Sequence, residues 1–178
     1  MDFTMFQFIR TFLDQKRFNT KARDAFTSYY RFAQDSKTFR EYCKKMHGID
    51  CFMQNNVSKS QFKAICKFLK PKQSVLDIGC GTGDLTSYLS KKYELNANGV
   101  DLVSSDYKQA NFEITSLGEN RYDIAISFDG FYMLNDLPKT LEKVLSSLKS
   151  NGKFILTYTT SKKFEKTRCK IPSKTYGY

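Results

Sequence analysis

The pattern of hydrophobic and polar positions changes near residue 74. Before that point, apolar residues recur every three or four positions between polar breaks, which predicts helices. After it, short apolar runs alternate with amphipathic segments, which predicts parallel strands joined by crossover helices. We therefore expect an α/β protein in which a helical N-terminal segment precedes a mostly parallel sheet.

Two capping boxes divide the second half of the helical segment. Thr38 and Glu41 fit the first box, which would open a helix ending at Gly48, and Ser58 with Gln61 fits the second. The helix after Ser58 has one apolar face, formed by Phe62, Ile65, Cys66 and Leu69. An aromatic stretch from residue 18 to 36 is also predicted to be helical, without clear ends.

Four clear strands are predicted in the second part of the chain, with the sequences SVLDI, ANGVDL, YDIAISF and KFILTY. A helix over DLTSYLSKKY follows the first strand. A second helix begins at the cap Asp136, carries Pro138 in its first turn and would stop at Asn151-Gly152. Only about 20 residues separate Asp101 from Tyr122, enough for a weak strand around QANFEI but hardly for a crossover helix as well.

Charge is unevenly distributed along the 178 residues, whose net charge is +11. The balance is +9 up to residue 74, −3 from 75 to 160 and +5 in the last 18 residues. Basic flanks of this kind can attract RNA, an acidic substrate or a membrane surface, although solvated lysine-rich helix faces are the simpler interpretation.

Composition points to a globular protein, since 40% of the residues are hydrophobic and 15% aromatic. Charges interrupt the first apolar stretch, so we expect neither a signal peptide nor a membrane-spanning helix, and a cytoplasmic protein. Five scattered cysteines lack the spacing of a metal site or a redox pair, and we expect free thiols and no metal.

The glycine-rich stretch VLDIGCGTGDLTSYLS joins the first predicted strand to a helix. A P-loop requires a lysine after its last glycine, whereas Asp84 follows Gly83, and a dinucleotide fingerprint requires G-x-G-x-x-G rather than G-x-G-x-G. Asp77 would point a carboxylate into the mouth of this loop, repelling a pyrophosphate and attracting an ammonium. S-adenosylmethionine meets these demands, and Asp101, at the end of the next strand, is suited to its ribose hydroxyls.

The motifs VLDIGCGTG, GVDL, YDIAISF and LKSNGKFILTY together resemble the class I (Rossmann-like) S-adenosylmethionine-dependent methyltransferases, over roughly residues 75–158. The upstream FREYCKKMHGIDCFMQNN resembles the helical lid of small-molecule methyltransferases. The resemblance implies that Asp77, Gly79, Cys80, Gly81 and Gly83 cradle the methionine part of the cofactor. It also implies that Asp101 and Leu102 hold the ribose and flank the adenine.

The same resemblance suggests residues for the adenine and for methyl transfer. Glu113 and Ile114 stand where the family has an acidic residue that accepts from the adenine amino group, although glutamate replaces the usual aspartate. Phe128, Asp129 and Tyr132 would line the methyl-transfer site, with plain core packing for Phe128 and capping of a turn for Asp129 as alternative interpretations. Candidate general bases are His47, Asp129 and the tyrosines Tyr29, Tyr30 and Tyr132, with a structural role at a helix end as the alternative interpretation of His47. His47 is expected to face solvent at the end of its helix.

The family's sheet normally continues past the fifth strand with an antiparallel pair, whereas only a short basic segment remains here. We therefore expect a C-terminally shortened Rossmann-like core at 73–160, between a helical lid at 1–72 and a basic tail at 161–178, with the fifth strand at an edge or covered by a homodimer or partner subunit. Three hypotheses follow. The first is a methyltransferase for a small or medium-sized acceptor enclosed by the N-terminal helices. The second is an RNA methyltransferase, and the third is a catalytically weak cofactor-binding module completed by a partner.

Overall fold

The structure, a computed structural model, describes residues 15–103, 106–131 and 134–158, with side chains from residue 23 onward. Five helices and five strands occur in these ranges. In chain order they are α1 (Gln15–Asp35), α2 (Lys37–His47), α3 (Lys59–Cys66), β1 (Ser74–Ile78), α4 (Asp84–Tyr93), β2 (Asn96–Asp101), β3 (Lys108–Gln109), β4 (Tyr122–Phe128), α5 (Leu137–Ser147) and β5 (Leu148–Thr157).

The strands form one parallel sheet in the order β3-β2-β1-β4-β5. The chain leaves β1 toward one edge and later returns through β4 toward the other. The carboxyl ends of β1 and β4 therefore border the crevice where sheets of this type bind ligands. The Rossmann-like α/β fold predicted from the sequence is confirmed.

Each face of the sheet has its own apolar cluster. On one face, Phe62 of α3 and Leu89 of α4 lie in the same cluster as Val75 and Ile126 of the strands. Because alternate strand residues point to opposite faces, Leu76, Ile78, Val100 and Ala125 supply the other cluster, together with Val144 of α5. The segment around α3 therefore contributes to the core of the sheet domain, while the domain boundaries drawn from the sequence stay predictions.

The connection between β2 and β3 is short, as predicted, but the strand expected around QANFEI is only two residues long and lies at Lys108–Gln109. None of its described residues is helical, and β3 consists of two residues that pair with Val100 and Asp101. Phe112 from the segment after β3 instead covers the sheet, together with Phe131, whose ring centroid lies 5.8 Å from its own. Aromatic side chains thus cover part of the face from which the crossover helix is missing.

Helix ends agree with the sequence where a local motif determines them. Gly48 caps α2 with φ +76°, Ser58 and Gln61 form the predicted capping box of α3, and Asp136 caps α5 ahead of Pro138. The predicted start of α2 at Thr38 and the predicted end of α5 at Asn151-Gly152 were wrong. The N-cap of α2 is Ser36, whose hydroxyl accepts from the N–H of Phe39, and α5 ends at Ser147 because β5 already begins at Leu148.

The outer edge of β5 pairs with no strand of the described part of the chain. This agrees with the predicted edge position of the fifth strand. Residues 161–178, predicted as a basic tail, lie outside the described residues. Among the helices that the structure describes, none combines the length and the apolar character needed to cross a membrane.

Candidate active site

The glycine-rich loop follows β1 and turns the chain into α4. Gly79, Gly81 and Gly83 all have positive φ angles, between +58° and +88°, which residues with a side chain rarely adopt. Backbone hydrogen bonds hold the loop in place, since the N–H of Gly79 donates to the carbonyl of Val100 in β2 at 2.8 Å and that of Gly83 to the carbonyl of Cys80 at 3.0 Å. The loop is therefore preformed.

Asp101 links the end of β2 to this loop. Its Oδ2 accepts from the N–H of Gly81 at 2.8 Å, and its Oδ1 accepts from the N–H of Val103 at 2.8 Å. Burial raises the pKa of Asp101 above its ordinary value, and the N–H groups of Val103 and Gly81 offset part of that rise. The predicted ribose carboxylate thus also fixes the shape of the loop.

Asp77 lies deeper than the sequence suggested. The expectation that its carboxylate reaches the mouth of the loop is wrong, because Asp77 is only 2% exposed and its Oδ2 accepts from the Thr86 hydroxyl at 2.6 Å. Burial raises the pKa of Asp77 to about 7, against the opposing effect of the Thr86 hydrogen bond. Asp77 still lines the cavity beside the glycine loop.

That cavity is bordered by Asp77, Gly79, Gly81 and Phe128 from the sheet domain and by Tyr30 of α1 and Phe52 from the N-terminal segment. Its volume is about 40 Å³, room for only a few water molecules. A Cβ built on Gly81 would lie 3.3 Å from Cε2 of Tyr30, and the Tyr30 ring meets Phe52 edge to face at 5.8 Å. The N-terminal segment therefore closes over the loop.

A larger groove continues from this cavity on its N-terminal side. We call it the aromatic groove; its volume is about 610 Å³, and the two spaces share Met53, Gln54 and Asn55. Tyr29, Phe39 and Tyr42 line the groove with Met53, and its polar residues are Gln54, Asn55, Asn56 and Asp129. The cavity beside the glycine loop and the aromatic groove are therefore adjacent.

Asp129 stands directly after β4, at the crevice, in a left-handed conformation with φ +55°. Its Oδ2 accepts from the N–H of Asn56 at 2.9 Å. Its own N–H lies 3.2 Å from the carbonyl oxygen and 3.3 Å from the hydroxyl of Thr157. Left-handed backbone in a non-glycine residue is costly and is often found at functional sites. Asp129 therefore joins the N-terminal segment to β5.

Other residues predicted for the site are less central. The Glu113 carboxylate accepts from the backbone and side chain of Asn135 at 2.7 and 2.9 Å and from the N–H of Asp136 at 3.2 Å, and Ile114 is exposed. Cys80 and Leu102 lie at the loop and just beyond β2, both half-buried. Phe128 belongs both to the core and to the cavity wall. Tyr132 lies outside the described residues.

His47 is a further correction. Instead of facing solvent it is 1% exposed, and its Nδ1 lies 2.6 Å from the carbonyl oxygen of Val57. The ring therefore ties the end of α2 to the segment before α3, away from both the cavity and the groove as their lining residues define them.

Sequence reasoning missed two residues that shape the cofactor side. Thr86 supplies the hydrogen bond that a buried Asp77 needs, a requirement that would have suggested a hydroxyl on the adjoining helix. Tyr107 covers the glycine loop from outside, since a Cβ built on Gly83 would lie 2.6 Å from its ring. No sequence signal connects Tyr107 to Gly83.

The geometry that defines the class of protein is a Rossmann-like domain with a glycine loop, acidic residues at the end of β2 and directly after β4, and a small cavity at the switch point of the sheet. The glycines permit close approach and the acids suit an ammonium and hydroxyls, so these residues fit S-adenosylmethionine. A profile of the family described as "Methyltransferase domain" matches residues 39–170. The chain belongs to this family, the class I S-adenosylmethionine-dependent methyltransferases, and the family and cofactor predictions are confirmed.

Individual relatives are distant. The chain is 25% identical to a malonyl-[acyl-carrier protein] O-methyltransferase of Acetivibrio thermocellus over 72% of its own length and 47% of that protein. It is 28% identical to phosphoethanolamine N-methyltransferase 3 of Arabidopsis thaliana over 62% of its length and 26% of that protein. A structure of phosphoethanolamine N-methyltransferase 2 of Haemonchus contortus shares the fold with a TM-score of 0.55 and 20% identity, covering 79% of this chain and 39% of that one. The chain thus spans half or less of these relatives.

Proposed function

We propose that this protein transfers the methyl group of S-adenosylmethionine to a small or medium-sized acceptor that binds between the N-terminal helices and the sheet. One observation carries the proposal: the cavity at the glycine loop and the aromatic groove share a wall formed by residues 53–55. A methyl donor in the first space and an acceptor in the second would be neighbours. The names of the relatives, with phosphoethanolamine and a malonyl group on a carrier protein, support a small acceptor.

The residues that would hold the cofactor follow from this arrangement. Asp77, Gly79, Cys80, Gly81 and Gly83 would surround its amino-acid part. Asp101 and Leu102 would contact the ribose and the adenine, with Glu113 and Ile114 further out. When bound, the cofactor supplies a methyl group that its sulfonium already activates, so the protein has to align the acceptor and exclude water. Phe128, Asp129 and Tyr132 would border the transferred methyl group.

The N-terminal segment would act as the lid that excludes water. The contact between Tyr30 and Gly81 supports this role, and we expect the Tyr30 ring to move aside when the cofactor enters, because the present cavity is too small for its amino-acid part. We further propose a cytoplasmic location for the protein.

A second candidate function rests on the outer edge of β5, which pairs with no described strand. In this alternative the chain binds the cofactor but transfers methyl groups efficiently only when a second copy or a partner subunit extends the sheet. An RNA acceptor finds no support among the described residues of the groove, since none of them is basic.

Calorimetric titration with S-adenosylmethionine and its demethylated product tests the common part of both candidates. We expect both compounds to bind, and mass spectrometry of small molecules that co-purify with the protein to detect one of them. Failure of both compounds to bind to folded protein would contradict the proposal. Brisk methyl transfer by a demonstrably monomeric chain would reject the second candidate.

A further inference from the structure

The lining of the aromatic groove combines π-faces with a single acidic group. Tyr29 and Tyr42 are exposed by 41% and 47%, and the Phe39 ring lies 5.8 Å from that of Tyr42. Asp129 is the one acidic residue among the described residues of the lining, and none of these is Lys, Arg or His. Aromatic faces beside a carboxylate attract cations, whereas phosphates and carboxylates need basic partners.

Asp129 is held in position rather than left on a loose loop. The N–H of Asn56 holds its carboxylate, and Thr157 holds its backbone N–H. A fixed charge is a better recognition group than a mobile one, because less side-chain freedom is lost when a ligand binds. The left-handed backbone of Asp129 also restricts which residues can replace it, since asparagine and aspartate tolerate this conformation better than most.

From this charge pattern we infer that the aromatic groove binds an amine carried on a compact apolar body, and that this amine is the methyl acceptor. The inference rests on the proposed function and narrows it to one chemical class. Acceptors bearing a phosphate or a carboxylate near the reacting atom are disfavoured by the same lining. The aromatic side chains bind the ammonium form and the apolar body, and Asp129 fixes the charged end.

The chemistry balances without a further reactant. The bound ammonium loses one proton to water, and the nitrogen lone pair then forms a bond to the methyl carbon. The electron pair of the carbon–sulfur bond stays on sulfur, which becomes a neutral thioether. The product leaves as a methylated ammonium, so each turnover releases one proton.

Binding of unreactive probes tests the inference independently of turnover. Benzyltrimethylammonium carries the cation, 2-methyl-1-phenylpropan-2-ol is a neutral compound of nearly the same shape, and phenylacetate carries the opposite charge. Each is titrated into the full chain saturated with S-adenosylhomocysteine. We expect the cation to bind at least tenfold more tightly than the neutral compound, and phenylacetate to bind more weakly than both.

Asp129→Asn is the decisive variant. It keeps the tolerance for left-handed backbone and an oxygen that can accept from the N–H of Asn56, and it replaces the charged second oxygen with a neutral NH₂ group. We expect it to weaken binding of the cation about tenfold and to leave that of the neutral compound within twofold. Asp24→Asn, which removes an exposed carboxylate paired with Arg23 and outside the groove, is the matched control and should change neither.

Tyr42→Leu keeps an apolar side chain but removes a π-face, and should weaken binding of the cation several-fold more than that of the neutral compound. The amine inference fails if the neutral compound or phenylacetate binds as tightly as the cation, or if Asp129→Asn leaves the preference unchanged. In those cases the proposed function stands as long as S-adenosylhomocysteine binds. If S-adenosylhomocysteine itself does not bind, the proposed function fails and the inference fails with it.

Discussion

The family pattern assigns both Asp101, the last residue of β2, and Glu113, in the segment after β3, to the cofactor, yet the structure uses them differently. Asp101 accepts from the N–H of Gly81, so its carboxylate is part of the loop that would surround the cofactor. Glu113 accepts from Asn135 and Asp136 and holds the chain at the start of α5. Both carboxylates support local structure, but only that of Asp101 is held at the glycine loop, so a motif position indicates a binding residue only when its contacts keep the side chain at the site.

Gly81→Val is expected to have the largest effect on cofactor binding, and it tests the loop to which Asp101 is bound. The position has φ +58° and faces the ring of Tyr30 at 3.3 Å, so a β-branched side chain is strained and fills the cavity. We expect binding of S-adenosylhomocysteine to weaken roughly 100-fold or more, about 2.8 kcal/mol.

Gly81→Ala and Gly118→Ala make a matched pair for this test. Gly118 also has a positive φ angle, but a Cβ there would meet only the Arg121 side chain, away from the cavity. If both alanine variants lose affinity for S-adenosylhomocysteine to the same extent, the loss comes from general destabilisation rather than from the site.

Asp101→Ala should have the next largest effect. It removes the predicted partner of the ribose hydroxyls and also the acceptor for the N–H of Gly81, and we expect a loss of about 1.5 to 3 kcal/mol in cofactor binding. Asp101→Asn, which retains one oxygen acceptor, should lose less. Unchanged affinity in folded Asp101→Ala protein would remove this residue from the site.

Asp77 is buried more deeply than Asp101 and Glu113, and its contribution to the free energy of unfolding should depend on pH. Burial raises its pKa to about 7, whereas an aspartate in the unfolded chain titrates near pH 4. Between these values the native chain retains a proton that unfolding releases, so the free energy of unfolding falls as the pH rises from about 4 to about 7 and levels off above.

Asp77→Asn removes this titration. Its free energy of unfolding, measured by denaturant titration at several pH values, should fall less steeply between about pH 4 and 7 than that of the parent. The two slopes should differ by at most the uptake of one proton. An identical slope in the parent and the variant would mean that Asp77 is charged throughout.

Glu113→Gln should have the smallest effect. The hydrogen bonds of Glu113 are exposed, and we expect a loss of about 1 kcal/mol in the free energy of unfolding, with cofactor affinity unchanged within twofold. Thermal denaturation and titration with S-adenosylhomocysteine measure the two quantities. A fall in affinity at unchanged stability would instead support the adenine-binding role that the family pattern implies.

Local motifs made much of the fold predictable from the sequence. The box of Ser58 and Gln61, the glycine after α2 and the cap Asp136 each involve residues within one helical turn, so their interactions can be recognised without the tertiary structure. The end of α5 could not be recognised in this way, because pairing of Leu148 with Tyr122 of β4 overrides the later stop signal at Asn151.

The site was less predictable because its decisive contacts connect distant parts of the chain. The spacing of the glycines and of Asp101 indicated the cofactor loop, but the contact of Asn56 with Asp129 spans 73 residues. His47 was misjudged for the same reason, since its burial depends on Val57 and the packing around α3. Only the folded chain reveals which carboxylates are already engaged.

Thr157 lies at the edge of the sheet and also holds the backbone N–H of Asp129, so the rim of the sheet and the aromatic groove are mechanically joined. If a strand paired with β5 steadied Thr157, it would also steady Asp129. Thermodynamic linkage then requires reciprocity: the factor by which such pairing strengthens acceptor binding equals the factor by which a bound acceptor strengthens the pairing. Any association at this edge would therefore depend on the acceptor concentration.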